Sequence, residues 1–271
     1  MANPEKLFVV INPTLDKHVA LERAIQIANN AAIKPQIVVF ISVDATRVED
    51  KPSNEKLHRN SGWLESEICD PLKLHNINFD ILFSWCTNWA GSLTQAAESC
   101  GATMVLMRKT PTVDSFFKFN SSKWNVFKNS RCPVLLVSDV SKTESGVVLA
   151  AVKWQTDNSE QKLLNQKILE GAKAASLWCG DKLHVVNAYK NSLSHPYRGS
   201  LLRHAQVDNA NIHITQGEST GVIASVALGI QAELVVVGTK GHSHNSNNIQ
   251  PAKIERLLSL IDVDVLVVNA K

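Results

Sequence analysis

Three absences narrow the role of this chain first. It has no strong charge imbalance: the formal net charge is +3 over 271 residues, so nothing marks a face rich enough in Lys and Arg to hold nucleic acid. It has no apolar run long enough to span a bilayer. It also has no paired-cysteine pattern. Its five cysteines, Cys69, Cys86, Cys100, Cys132 and Cys179, are odd in number and include no C-x-x-C. That argues against a disulfide framework or structural zinc cluster and for free thiols in a reducing cytoplasm. The opening Met1-Ala2-Asn3-Pro4-Glu5-Lys6 has neither the basic head nor the apolar core of a secretory signal. The expectation is a cytoplasmic chain with no membrane and no nucleic-acid partner.

The chain does contain a repeated pattern. About 44% of its residues are hydrophobic, and they fall into short runs of strand length. The first half has Leu7–Ile11, Ile37–Ile41, Phe79–Trp85, Thr103–Met107 and Pro133–Val137. The second half has Val147–Val152, Leu183–Ala188, Ile212–Thr215, Leu234–Val237 and Val265–Val268. Stripes at helical spacing lie between them, such as Ala20, Leu21, Ala24, Ile25 and Ala28, or Leu164, Ile168, Ala172 and Ala175. The first copy has a longer helical stretch near Asn54–His75, and the polar stretch Asp139–Ser145 joins the copies. This divides the chain into domains at 1–140 and 146–271.

Alternating strands and helices imply an α/β fold, each copy a parallel sheet covered on both faces. Ligands in such sheets bind beyond the carboxyl ends of the strands, where strand order reverses. The loops after the first and fourth strand of each copy are therefore the places for a site. Both last strands are strongly apolar, and pairing Pro133–Val137 with Val265–Val268 would protect two sheet edges at once.

Several segments resemble the universal stress protein family. They are Val235-Val236-Val237-Gly238-Thr239-Lys240-Gly241 followed by a polar loop, an amphipathic helix and Val265–Val268; Leu183–Tyr189; Val9-Val10-Ile11-Asn12-Pro13; and Ser122-Lys123-Trp124 with Cys132-Pro133-Val134-Leu135. The last of these is similar to the family's tandem E subtype. The resemblance covers nearly the whole chain. It implies two tandem doubly wound five-stranded sheets of order 3-2-1-4-5, an internal pseudo-dimer with homodimerisation left open, and a stress-response role without enzymatic activity.

Many members of that family bind ATP through G-x2-G-x9-G-[ST] after the fourth strand and an Asp after the first. Glycines let backbone N–H groups approach phosphate, and the next helix offers a positive end. Gly238 and Gly241 match, with Thr239 and Lys240 between them, but Pro251 and Ala252 stand where Gly and Ser or Thr are expected. Pro251 has no N–H and Ala252 no hydroxyl. Lys153 stands in place of the Asp, and lysine cannot accept a hydrogen bond. The first copy continues Arg108-Lys109-Thr110-Pro111, without glycine, yet keeps Asn12 in the Asp position. The resulting candidate site, degenerate in both copies, takes an adenine nucleotide or another anion, and no cofactor is fixed by it. The alternative for Gly238 and Gly241 is a tight turn after the strand.

Other features have plainer readings. His242 and His244 have no Cys, Asp or Glu nearby to complete a metal set, so no metal site is expected. Phe116, Phe117, Phe119, Trp124 and Phe127 could line an apolar pocket or pack as a core, and packing is the preferred reading. Neither Ser243 nor Cys86 has a patterned base and acid beside it, so no catalytic residue is assigned. The alternative to ligand binding is a scaffold that has lost it. No acidic residue adjoins Gly238–Gln250, the nearest downstream being Glu255.

Overall fold

The computed structural model describes residues 6–44, 61–86, 88–109, 121–140, 145–180, 182–240 and 249–270. Its inner strands form because their apolar runs are covered on both sides. In β1 (Lys6–Ile11), Leu7, Val9 and Ile11 enter one core while Phe8 and Val10 enter another. The same alternation organises β2 (Gln36–Asp44), β4 (Met104–Arg108) and β5 (Val134–Val137), whereas the edge strand β3 (Phe79–Cys86) packs Phe79 and Ile81 on the first core and leaves Leu82 and Phe83 exposed. The alternation recurs in β6 (Val147–Val152), β7 (Lys182–Tyr189), β9 (Leu234–Thr239) and β10 (Asp264–Asn269), while the edge strand β8 (Ile212–Gln216) faces the first core alone through Ile212 and Ile214.

One layer of helices covers the first of these cores: α1 (Val19–Asn30), α2 (Ser61–Leu64) continuing through a π turn (Glu65–Cys69) into α3 (Asp70–Leu74), α6 (Ser159–Cys179) and α7 (Arg198–Ala205). The other layer holds α4 (Trp89–Ser99), α5 (Ser121–Asn129), α8 (Ser219–Gly229) and α9 (Ile249–Leu260). The π turn precedes Pro71, which has no N–H for the usual helical bond; the Asp70 N–H bonds the Glu65 carbonyl instead. Of the helix expected near Asn54–His75, residues 54–60 lie outside the described residues. No helix among the described residues is long and apolar enough to cross a membrane.

The ten strands make one sheet of order β3-β2-β1-β4-β5-β10-β9-β6-β7-β8. Each half therefore has the order 3-2-1-4-5. Pairing within each half is parallel, and the halves meet where β5 and β10 pair antiparallel, Leu136 opposite Val265, Leu135 opposite Leu266 and Val134 opposite Val267. All six side chains are buried. Each contributes about 1.5–3 kcal/mol on leaving water, so the seam is held first by apolar burial. The internal pseudo-dimer expected from the sequence is present.

A buried ionic cluster sets the register across this seam. Arg23 of α1, 3% exposed, donates from Nε to Asp264 at 2.8 Å and from Nη2 to Glu233 at 2.7 Å. Asp264 also accepts the Ser138 N–H at 2.8 Å, and Glu233 accepts the Gly146 N–H at 3.4 Å. Burial alone would lower the Arg23 pKa, but Asp264 and Glu233 outweigh it and hold the guanidinium above its ordinary value. Asn30 ties α1 to α6 by donating to the Trp178 carbonyl at 3.0 Å. Gly146, just before β6, has φ +66°, and its backbone passes so close to Gly180 that a Cβ on Gly180 would lie 2.6 Å from the Gly146 Cα.

Buried ion pairs contribute little net energy, but removing one partner strands the others without compensation. Arg23→Met is expected to destabilise the protein by about 3–5 kcal/mol in urea unfolding. Adding Glu233→Gln and Asp264→Asn is expected to recover most of that loss. Equal stability of wild type and Arg23→Met would remove the cluster from the account.

Candidate functional site

Because β5 and β10 run antiparallel, the carboxyl ends of the two sets of strands open on opposite rims of the sheet. The two candidate sites are thus far apart and differ in what surrounds them.

On the first rim, the groups that would meet a ligand already have partners. The Asn12 Oδ1 accepts both the Thr14 N–H at 2.9 Å and the Thr14 hydroxyl at 2.8 Å. Both lone pairs of that oxygen are engaged, so Asn12 holds its own loop and has no acceptor left for adenine. Arg108 grips Asp139 through Nε at 2.7 and 2.9 Å. Lys109 is buried, its N–H donates to Val137 at 2.7 Å, and its ammonium donates to the Ile261 carbonyl across the seam. Burial pushes its pKa down, against the pull of Asp262, Asp264 and Asp139.

Thr110, Pro111, Phe116, Phe117 and Phe119 lie outside the described residues. Phe127 is buried and meets half-buried Trp124 edge to face at 6.3 Å. Asn269 of β10 donates to the Phe127 carbonyl at 3.2 Å. For these two aromatics the packing reading is the one observed.

On the second rim, Lys153 is exposed, but its backbone is clamped. Its N–H donates to the Asn165 Oδ1 at 3.1 Å, and its carbonyl accepts from the Asn165 Nδ2 at 2.7 Å. The next residue, Trp154, donates its N–H to Asn187 at 2.7 Å and its indole N–H to Ser200 at 3.3 Å. The loop after β6 is therefore rigid and presents the Lys153 side chain outward. Asn165 and Asn187 are both buried. Sequence reasoning passed over them, although a buried amide within an apolar stripe, such as Asn165 beside Leu164, is a visible signal.

Gly238 is not in a turn. It belongs to β9 and pairs with Val268. A Cβ there would lie 2.6 Å from two Leu164 atoms and 2.9 Å from Ile168. Glycine is required because α6 packs directly on the strand, a reason that neither the phosphate nor the turn reading supplied. Thr239 is also in β9 and buried, its carbonyl accepting the Ala270 N–H at 3.0 Å.

Lys240 follows, half-buried, with its ammonium 4.0 Å from Glu160 in the first turn of α6. Sequence reasoning placed no acid beside this loop. Glu160 arrives from a distant stretch of chain, and no local pattern announces it. Gly241, His242, Ser243 and His244 lie outside the described residues. Pro251 and Ala252 fall in the first turn of α9, where proline is tolerated because its missing N–H would have no helical partner.

At the second rim Lys153 follows β6 and Lys240 follows the neighbouring strand β9, with Glu160 of the first turn of α6 beside Lys240. Such a set can hold an anion against a rigid floor. Among the described residues no group of three or more His, Cys, Asp or Glu could hold a metal. Cys86, half-buried, receives a hydrogen bond from Ser84 at 3.8 Å. Gly238→Ala is expected to cost about 1–3 kcal/mol of stability through overpacking, and Leu164→Ala in the same chain is expected to relieve part of it. An unchanged unfolding midpoint in Gly238→Ala would contradict the packing role.

No family model matches the chain. Curated relatives do. It is 22% identical to universal stress protein E of Photorhabdus laumondii, covering 99% of this chain and 96% of that one. It is 23% identical to the universal stress protein E homolog of Haemophilus influenzae, covering 97% and 96%. Among solved structures, a Pseudomonas aeruginosa protein of unknown function superposes with a TM-score of 0.78 at 18% identity, covering 98% of this chain and 92% of that one. A universal stress protein from Archaeoglobus fulgidus superposes with a TM-score of 0.73 at 15% identity, covering 97% and 96%. In sequence over nearly its whole length, and in fold, the chain resembles the tandem universal stress proteins, and universal stress protein E in particular.

Proposed function

We propose that this chain is a stress-response protein of the tandem universal stress type that works as a binding or signalling module and not as an enzyme. In this reading the first half is a structural partner and the second half carries the ligand site. The ligand is a small anion, with adenine nucleotides the members to test first. The domain division at 1–140 and 146–271 belongs to the same reading.

The observation that carries it is the unequal state of the two rims. Lys109 and Asn12 are engaged within the chain, whereas Lys153 is exposed and Lys240, paired with Glu160 at 4.0 Å, remains partly exposed. Turnover of a nucleotide would need a metal-held triphosphate and a positioned water. At this rim Lys153 and Lys240 would neutralise ligand charge, which favours binding over reaction, and the Glu160 carboxylate is paired with Lys240.

A ligand that binds only the folded chain raises its melting temperature. Millimolar ATP, ADP, AMP and inorganic phosphate are therefore compared by thermal shift. At least one is expected to raise the midpoint by a few degrees, and Lys153→Ala with Lys240→Ala is expected to abolish the rise while leaving the unliganded midpoint close to that of wild type. No shift with any of the four would favour the scaffold reading, in which the fused sheet serves protein contacts alone.

A further inference from the structure

Two histidines on the outer strands of the second half meet head to head. The His184 Nδ1 on β7 and the His213 Nε2 on β8 are 3.0 Å apart. The ring centroids are 5.3 Å apart and the ring planes differ by 12°. The centroid separation is the nitrogen–nitrogen distance plus about one ring radius at each end. The rings therefore lie edge to edge in nearly one plane, with both nitrogens on the line between them. Two lone pairs aimed at each other cannot converge on a third point, so this is not a chelating pair. It is an N–H···N hydrogen bond, and it requires one ring to donate and the other to accept.

The place is occupied differently in the two halves. The strand registers make Leu7 and Val148 equivalent, and likewise Ile37 and Leu183, so His184 falls at the position of Val38. Val39 pairs with Ile81 and its counterpart Val185 with Ile212, so His213 falls at the position of Leu82. An apolar pair in the first half is an imidazole pair in the second.

The charged surroundings of the pair are cationic. Strand alternation places Lys182 on the same face of β7, and Arg198 of α7 acts on His213. The helix above this face, α8, has no titratable side chain between Ser219 and Gly229. Its capping Glu218, paired with Arg256 of α9 at 3.8 Å, lies at its amino end, whereas the histidines lie near the amino ends of their strands, under its carboxyl end. On the neighbouring β6 the same face presents Leu149 and Ala151.

The proton count follows from the geometry. A neutral pair keeps one proton in the gap. A first added proton goes to the outer nitrogen of the donor ring and strengthens the bond, because charge-assisted hydrogen bonds are stronger. A second must enter the gap itself, setting N–H against N–H and charge against charge.

We propose that His184 and His213 form a proton-operated latch, closed while the pair holds at most one added proton and opened by the second, which frees β8 and the carboxyl end of α8 from the sheet. Among the described residues β8 is the last strand of the sheet and pairs only with β7, so its opening moves no other strand; what it must give up besides that ladder is the burial of Ile212 and the Arg198 bond to the Ile212 carbonyl. Burial lowers the pKa of both rings, and at His213 the charges of His184 and Arg198 add to it. A folded value below the unfolded one means that the unfolded chain binds more protons on acidification. The stability contribution is complete above about pH 6.5 and is lost as pH falls towards the folded values. For each proton the folded pair refuses, the loss is about tenfold in the folding equilibrium per pH unit.

The test compares amide hydrogen exchange, corrected for intrinsic rate, between pH 7 and pH 5. In wild type, β8 and the end of α8 are expected to lose protection on acidification by about tenfold or more, while β1 and β4 do not. His184→Val with His213→Leu copies the first half and is expected to show no such pH dependence. His213→Gln, which can donate and accept but takes no proton, is expected to behave the same way and serves if the double variant does not fold. Loss of protection in acid that is the same in wild type and either variant would overturn the proposal. So would imidazole titrations showing two independent sites with no change in β8 exchange.

Discussion

The antiparallel meeting of β5 and β10 is the constraint on which the rest of the molecule depends. Each half alone would leave a buried, mostly apolar strand at its edge, with unpaired backbone groups along Val134–Val137 and Asp264–Asn269. Joining the two edges closes both and makes one sheet with a continuous core on each face. The direction of the pairing also decides that the two carboxyl rims face opposite ways. Arg23, Glu233 and Asp264 add little net energy but fix how the halves register, because any slip would leave buried charge uncompensated.

The same pairing sets each rim beside the amino ends of the other half's last strands, and the side chains of the two halves use that position differently. At the first rim they are drawn into the seam. Lys109 reaches the Ile261 carbonyl and Ser138 bonds Asp264. The second rim presents Lys153 on a loop made rigid by Asn165 and Asn187. Two copies of one fold thus differ in how far their rim side chains are engaged within the chain.

Most of the fold was legible in the sequence because strands buried on both faces leave near-continuous apolar runs. The boundaries that moved did so for stated reasons. β9 runs on through Gly238 and Thr239 because β10 continues beside it to Val268 and Asn269. β10 starts at polar Asp264, which no hydropathy pattern selects, because Arg23 and Ser138 satisfy it there. The site was less legible. The departures at Lys153, Pro251 and Ala252 could be read directly. That Gly238 answers to Leu164, that Asn12 is engaged by its neighbour Thr14, and that Glu160 approaches Lys240 are matters of packing, which spacing along the chain does not encode.

The central claim is that the seam is a core of the protein and not a docking surface between two independent bodies. Native-state hydrogen exchange of the seam amides tests it most directly, since amides that open only in global unfolding report the full stability. The account predicts that Leu135 of β5 and Leu266 of β10 exchange as slowly as the central strands β1 and β6, with the same dependence on denaturant. Seam amides that exchange markedly faster than those of β1 and β6 would show that the halves part before they unfold, and would contradict it.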